Sequence, residues 1–346
     1  TPEWVNDHKE TSWLVLESRL GGLAYWRKVV KVDTRAGTIT LDAPTRYTLL
    51  MRDRARVCLA DDLIHDSGVE SLSIGGAERQ GADGWGEEDY TKQALNSWHS
   101  HSSSVIDLTR TRDCWVRDVS SFKSDQNSLG AHFLSNGIIA SECRGLTIKN
   151  CRMSHPQFGG GGGNGYMFRL SNCNESLVAD CMAEHSRHGF VLSSMASSGN
   201  VFHRCTDKDT GLAVGGTGRV KTSGRTSDHH MHFSHSNLFD QCVGINSGFQ
   251  ASYRPYGTPP LHCLTSAHSV YWNTRGEGSG VPLVQSAQSR YGYVIGTSGT
   301  NPAVSLTSLA KGKTDPEDHV EGEGKGVSLE PQSLYLDQRR RRLGAR

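Results

Sequence analysis

Seven of the sixteen histidines of this chain, His185, His188, His203, His229, His230, His232 and His235, fall between Glu184 and His235. The same 52 residues hold six Lys or Arg against four Asp or Glu. That local positive field suits an anionic or polyhydroxylated ligand. Within it, Arg187–His188 and Asp228–His229–His230 set a cation or a carboxylate directly beside imidazole. Removing a proton next to a carboxylate needs a base with a pKa near neutrality and a cation to hold the enolate charge. Arg187 with His188 or His230 offers both. Hydrolysis of a glycosidic bond needs instead two carboxyl groups, about 5–5.5 or 6.5–9.5 Å apart, for which Asp228, Glu184 and Asp125 are the candidates. His230 and His232 alternate onto one face of a strand, an arrangement zinc can use. No HExxH or comparable spacing accompanies them, and neither a metal nor another cofactor is expected.

The histidines lie next to three long polar excursions, at 121–133, 155–165 and 206–228. A run of five glycines fills 159–163, but it lacks the GK[ST] ending of a phosphate loop and no helical pattern follows. It reads instead as flexible or tightly packed backbone that lets a chain-like ligand approach closely. The catalytic candidates are His188, Arg187, His230 and Asp228. Asn164, His185, His229, Glu184, Asp125 and His132, on or beside the excursions, are the expected substrate-binding residues.

The elements that must position these residues repeat. CWVRDV (114–119), LTIKNC (146–151), LVADCM (177–182), VFHRCT (201–206) and LFDQCV (238–243) share one pattern, each preceded by a turn signal. The alignment makes Val119, Cys151, Cys181, Cys205 and Cys242 equivalent, at spacings of 32, 30, 24 and 37. An earlier copy, SLSIGGA (71–77), puts Ala77 at the same place. A second strand precedes each: SVIDLT (104–109), GIIAS (137–141), YMFRLS (166–171), GFVLSS (189–194) and HMHFS (230–234). Cys143 and Cys173, each eight residues before a column cysteine, form a shorter second column. Two short strands per repeat, with no helical period between them, describe the coil of a parallel β-helix. Cys, Val and Ala then fill its interior as small apolar residues, and the thiols are expected to be reduced. Ile148 and Cys151 are three apart, so a bend or bulge must separate them.

Composition agrees with this all-β reading. The 346 residues include 39 glycines and are 35% hydrophobic, which suits many short strands and tight turns. A net charge of +1 argues against a nucleic-acid partner. No apolar run approaches the roughly 20 residues of a membrane span. Nine cysteines without a CxxC pair argue against a zinc ribbon. The start, TPEWVNDHKE, lacks a signal-peptide core and an initiator Met, as expected of a processed product. Residues 1–64 read as a β-rich cap closing the first coil, with strands in WRKVVKVD, GTITLDAP, RYTLL and ARVCLA. Residues 65–300 are the β-helix, and 301–346 a polar tail ending in a short helix with the run Arg339–Arg342.

Over residues 22–300 the coil motifs GLTIKNC, SLVADC, GNVFHRC and SNLFDQC, with ITLDAPTRY, resemble the right-handed parallel β-helix proteins of the pectate-lyase-like superfamily. The resemblance implies a right-handed single-stranded solenoid and a secreted or cell-surface protein. It also implies a polysaccharide partner, cleaved in a groove along the helix by a lyase or a glycoside hydrolase. The calcium-binding Asp cluster and the arginine motif of pectate lyases have no match here. The competing reading is a non-catalytic solenoid that binds glycans, or that assembles with its own copies into an oligomer or surface filament.

Overall fold

The computed structural model describes residues 22–344 except 62, 255, 257–261, 263, 279 and 307–316. The first 21 residues and Cys263 lie outside the described residues. Alternating apolar residues give each coil a strand with one face inward. Ser104–Thr109, Asn136–Ser141, Tyr166–Ser171, His188–Ser193, Thr226–Met231, Gly248–Ala251, Val284–Ser286 and Val304–Ser305 stack in that order into one parallel sheet. A second sheet begins with Gly68–Ile74 on Trp115–Ser121 and ends with Val270–Glu277, Tyr293–Gly299 and His319–Glu321. Between these, each coil supplies two short strands, such as Thr147–Lys149 and Arg152–Ser154. The chain is a right-handed single-stranded parallel β-helix, the hand that strand twist imposes on parallel crossovers.

The break between Ile148 and Cys151 is a single left-handed residue. Asn150 has φ 53°, Asp180 55°, Arg204 52° and Gln241 54°. One such residue turns a corner, so the apolar side chains on both sides of it face inward. Asn and Asp tolerate that conformation best.

Register then sets the interior. Arg152 pairs with Ser120 and Met182, and Thr206 with Met182 and Val243. Val119, Cys151, Cys181, Cys205 and Cys242 therefore form one buried column, as their spacing implies. Val116, Ile148, Val178, Phe202, Phe239 and Tyr271 form another beside it. Phe202 and Phe239 stack at 4.6 Å between ring centroids. Cys143 and Cys173 sit one residue before the paired Arg144 and Asn174, and so make the second cysteine column. All eight described cysteines are free, and seven are buried.

Four expectations need correction. Ala77 is not in the column: Leu72 pairs with Val119, because GVESLS, not SLSIGGA, matches WVRDVS, and Ser71 (φ 60°) takes the corner opposite Asp118 (φ 54°). The strand expected at HMHFS lies four residues earlier, since His232 and Phe233 adopt φ 60° and 56° and turn the chain there.

Among the described residues the N-terminal region does not close the first coil. Val29–Asp33 and Thr38–Leu41 form an antiparallel hairpin, while RYTLL and ARVCLA contain no strand. The hairpin runs along the flank of several coils, where charged and polar corner residues supply its partners. Asp42 pairs with Arg144, and Arg27 and Arg46 with Glu175. The Tyr25 hydroxyl meets His235 Nε2 at 2.8 Å. A two-stranded hairpin is marginal alone, so these contacts hold it.

The region past residue 300 is no free tail either. Val304–Ser305 and His319–Glu321 extend both sheets. The helix Leu334–Leu343, capped by Ser333, docks through its first amide on Asp240 Oδ1 at 3.0 Å.

Two outcomes follow from this packing. Phe202→Ala should cost about 3–5 kcal/mol, read from the shift in urea midpoint, and a loss below about 1 kcal/mol would contradict a close-packed aromatic column. Alkylation of the unreduced, unfolded protein should label all eight described thiols, whereas protection of a pair would contradict the reduced columns.

Candidate functional site

The excursions stack into one wall. Gln157 N donates to Phe133 O, Val214 N to Pro156 O, and Gly215 N to Gln157 O. A further excursion at 75–103, which the repeat pattern did not flag, folds over them: Arg79 N donates to Gln157 Oε1 at 2.8 Å. Its arrival explains the glycine run. A Cβ on Gly162 would lie 2.4 Å from the Tyr90 ring, and one on Gly160 2.8 Å from Glu87 O. The run serves close packing within the chain, where a chain-like ligand was expected. Trp85, Glu87, Gln157, Phe158, Lys221 and Ser223 line the cleft that results.

Below the cleft a polar chain leads inward. Arg187 Nε and Nη2 each donate to Ser223 Oγ at 3.2 Å, and Nη1 reaches the Tyr166 hydroxyl at 3.4 Å. Glu87 stands 3.8 Å from the same guanidinium. The Tyr166 hydroxyl lies 2.9 Å from His230 Nε2. His230 Nδ1 is 2.8 Å from Arg254 Nη1 and 3.1 Å from Asp228 Oδ2. Arg254 Nη2 meets Asp228 Oδ2 at 2.7 Å. His188 Nδ1 lies 2.7 Å from Thr226 O and 3.2 Å from Asp228 Oδ2. Tyr166, His188, Asp228, His230 and Arg254 are all buried.

The neighbours fix the tautomers. Thr226 O only accepts, so His188 carries its proton on Nδ1 and keeps a lone pair on Nε2. A guanidinium only donates, so His230 Nδ1, accepting from Arg254 at 2.8 Å, does not donate to Asp228 at 3.1 Å, and Nε2–H donates to Tyr166. Burial pushes the pKa of both imidazoles well below the ordinary value. Asp228 opposes this at His188, and Arg254 reinforces it at His230. Burial raises the Tyr166 phenol, against the pull of Arg187.

Strand register builds the cluster. Tyr166 pairs with His188 across adjacent coils. Asp228 pairs with Val191 and His229 with Leu192, so alternation sets His230 on the outer face with Asp228, where the register then shifts. His229 has the opposite parity. Its ring enters the core against Phe239 and Tyr271, Nδ1 meets Ser234 Oγ at 2.7 Å, and burial takes its pKa down to about 3. His229 is therefore not a substrate-facing residue.

The other expected residues disperse. Asn164 is buried, with Oδ1 accepting from Ser102 N (2.9 Å) and Ser135 Oγ (2.8 Å) and Nδ2 donating to His101 Nδ1 (2.9 Å) and Gly161 O (2.5 Å). It fastens the 155–165 loop and does not face the cleft. Asp125 is exposed on the 121–133 loop, apart from the cluster. Glu184, His185 and His132 gather on a different corner, together with His155, which the sequence reading passed over. Burial would raise the Glu184 carboxyl, but Lys208 and Arg152 outweigh it and hold the pKa at about 2. Arg254 and His262 were also missed. Their signal was the long gap between the strands Gly248–Ala251 and Ser266–Ala267, as wide as a flagged excursion.

His188, Asp228 and His230 bring ligand atoms within 4.8 Å of one another, as do Glu184, His185 and Asp209. Arg254 already provides the positive charge in the first set, and Lys208 with Arg152 in the second. A cation at either place would meet fixed like charge.

No family model matches the sequence, and no curated protein matches it. Among solved structures, the chain is similar to the endo-xylogalacturonan hydrolase of Aspergillus tubingensis, at 12% identity over 76% of this chain and 73% of that one, with a TM-score of 0.43.

The buried imidazoles set a pH dependence. Burial lowers His155 and His262 from 6.5 to about 4, and His229 and His235 to about 3. Between those values and 6.5 the unfolded chain binds more protons, so their contribution is complete above 6.5 and is lost as pH falls. Asp207, raised by burial from 3.8 to about 6, has the opposite sign: its contribution is lost as pH rises through about 6. The four histidines outweigh it. Thermal midpoints should therefore fall steadily as pH drops from about 6.5 toward 4, and a midpoint constant or rising over that window would contradict these assignments.

Proposed function

We propose that this chain is a carbohydrate-active enzyme that cleaves an acidic polysaccharide by β-elimination, outside the cell or at its surface. One observation carries the reading: a continuous polar chain runs from the open cleft through Arg187 and Tyr166 to two imidazoles held neutral. Arg187 pairs with the uronate carboxylate and stabilises the enolate formed beside it. His188 Nε2 takes the proton from the carbon next to that carboxylate, and an anionic substrate beside the ring counters the burial that lowers its pKa. The bond to the leaving oxygen then breaks, that oxygen takes a proton from Tyr166, and a C=C bond remains in the sugar. Asp228 and Arg254 are positioning residues, since they act through His188 and His230. Tyr166 and the histidines are buried, so substrate must displace part of their cover.

Hydrolysis has less support. It needs a carboxyl group that keeps its proton near neutrality. Glu184 is held far below that, and Asp207, raised to about 6, hydrogen-bonds Thr210, Ser227 and Ser247 inside the solenoid. The complete burial of Asp228 favours a second reading, a non-catalytic glycan-binding solenoid in which the cluster only braces the excursions.

A panel of acidic and neutral polysaccharides, followed by ultraviolet absorbance of the new C=C bond and by reducing-end assay, separates these readings. Elimination predicts both signals on an acidic polymer. Arg187→Ala and Tyr166→Phe should then each lower turnover by about 10²-fold or more. Reducing ends without absorbance would mean hydrolysis, and no product on any polymer would leave the binding solenoid.

A further inference from the structure

Outside the cleft, three coils in succession each place an imidazole on one corner of the solenoid. His132 and His155 stack at 4.8 Å between ring centroids, and His155 and His185 meet at 4.4 Å with their rings tilted by 57°. Backbone bonds from His132 N to His155 O and from His155 N to Glu184 O keep the rings in step with the coils. The fold does not itself ask for histidine there. His155 and His185 adopt φ 58° and 50°, and the same position on the next two coils holds Asp209 and Asn246 at 54° and 51°. Asp and Asn are the residues that a left-handed corner accepts most readily.

The surroundings are cationic. Arg152 and Lys208 frame the column with side chains 54% and 35% exposed. Both pair with Glu184, which is buried. Arg219, exposed, lies close enough to bear electrostatically on His155 and His185. It belongs to the hairpin of Leu212–Ala213 and Val220–Lys221, and Lys221 of the same hairpin lines the cleft. Three cations thus face two carboxylates, Glu184 and Asp209, and Asp209 Oδ1 already accepts from Asn246 at 2.8 Å.

We propose that this histidine column, with Arg219, Arg152 and Lys208, is a second subsite for an acidic polysaccharide, taking uronate residues beyond those held in the cleft. The proposal rests on the functional reading above and extends it. The rings cover one another's faces, so the column offers ring edges to sugar hydroxyls, and the cations attract carboxylates. The hairpin 212–221 carries positive charge from the cleft to the column, so a chain leaving the one meets the other.

Calorimetry with oligomers from dimer to octamer tests this. The acidic polymer that gives most product in the panel supplies them, or polygalacturonate if none does. The variants are Arg219→Ala, which alters an exposed side chain, and His155→Asn, which suits the left-handed corner. Octamer affinity should fall about fivefold or more in each, with dimer affinity and the thermal midpoint unchanged. Octamer affinity equal to wild type, or an equal loss for dimer and octamer, would overturn the subsite alone. A wild-type protein that binds no oligomer of any length would overturn both the subsite and the functional reading beneath it.

Discussion

The structure depends on one constraint, the residue-for-residue register between successive coils. In each coil a left-handed residue, Asn150, Asp180, Arg204 or Gln241, turns the chain at this corner. The apolar residues on either side then fall into columns that bury Val116 through Tyr271 and Val119 through Cys242. A slip of one residue would turn each of these side chains outward. The same register that aligns the cysteines inside aligns Tyr166 with His188 outside. Core and candidate site are two faces of one pairing.

That coupling bears on the buried charges. Asp228 is fully buried, and its Oδ2 gathers Arg254, His188 and His230 while Oδ1 finds no partner among the described residues. A buried carboxylate is tolerable when it is paired and hydrogen-bonded, and among the described residues its full counter-charge is Arg254. Removing that guanidinium would strand the carboxylate, so the cluster is more sensitive to loss of one member than its number of contacts suggests. Arg187 differs. It stands between the cleft and the cluster and shares Ser223 with the wall, a hydroxyl that a ligand carboxylate would replace.

Much of the fold was legible because the coil pattern is repeated. Five copies locate the cysteine column, and the interruption of alternation between Ile148 and Cys151 marks the corner. Legibility fails where a position is set by a single contact rather than by repetition. The first coil was misplaced by five residues at Ala77, since SLSIGGA is small and apolar enough to imitate the motif. The N-terminal hairpin was expected over the solenoid end, and nothing in its strand pattern shows that Arg27, Arg46 and Asp42 find partners along the flank. For the site, composition located Arg187, His188, Asp228 and His230, but the placement of the strand at Thr226–Met231 decides that His230 shares the face of Asp228 while His229 enters the core. His155 and Arg254 carry no motif, and only the stacking of loops brings them to their places.

The central claim is that Arg187, Tyr166 and His188 serve elimination, with no water added to the substrate. Mass spectrometry of the products formed in heavy-oxygen water tests this directly. The account predicts chains that end in an unsaturated uronate, with no heavy oxygen fixed at the cleavage point beyond what exchanges at reducing ends. Saturated products that carry one heavy oxygen from each cleavage would contradict it.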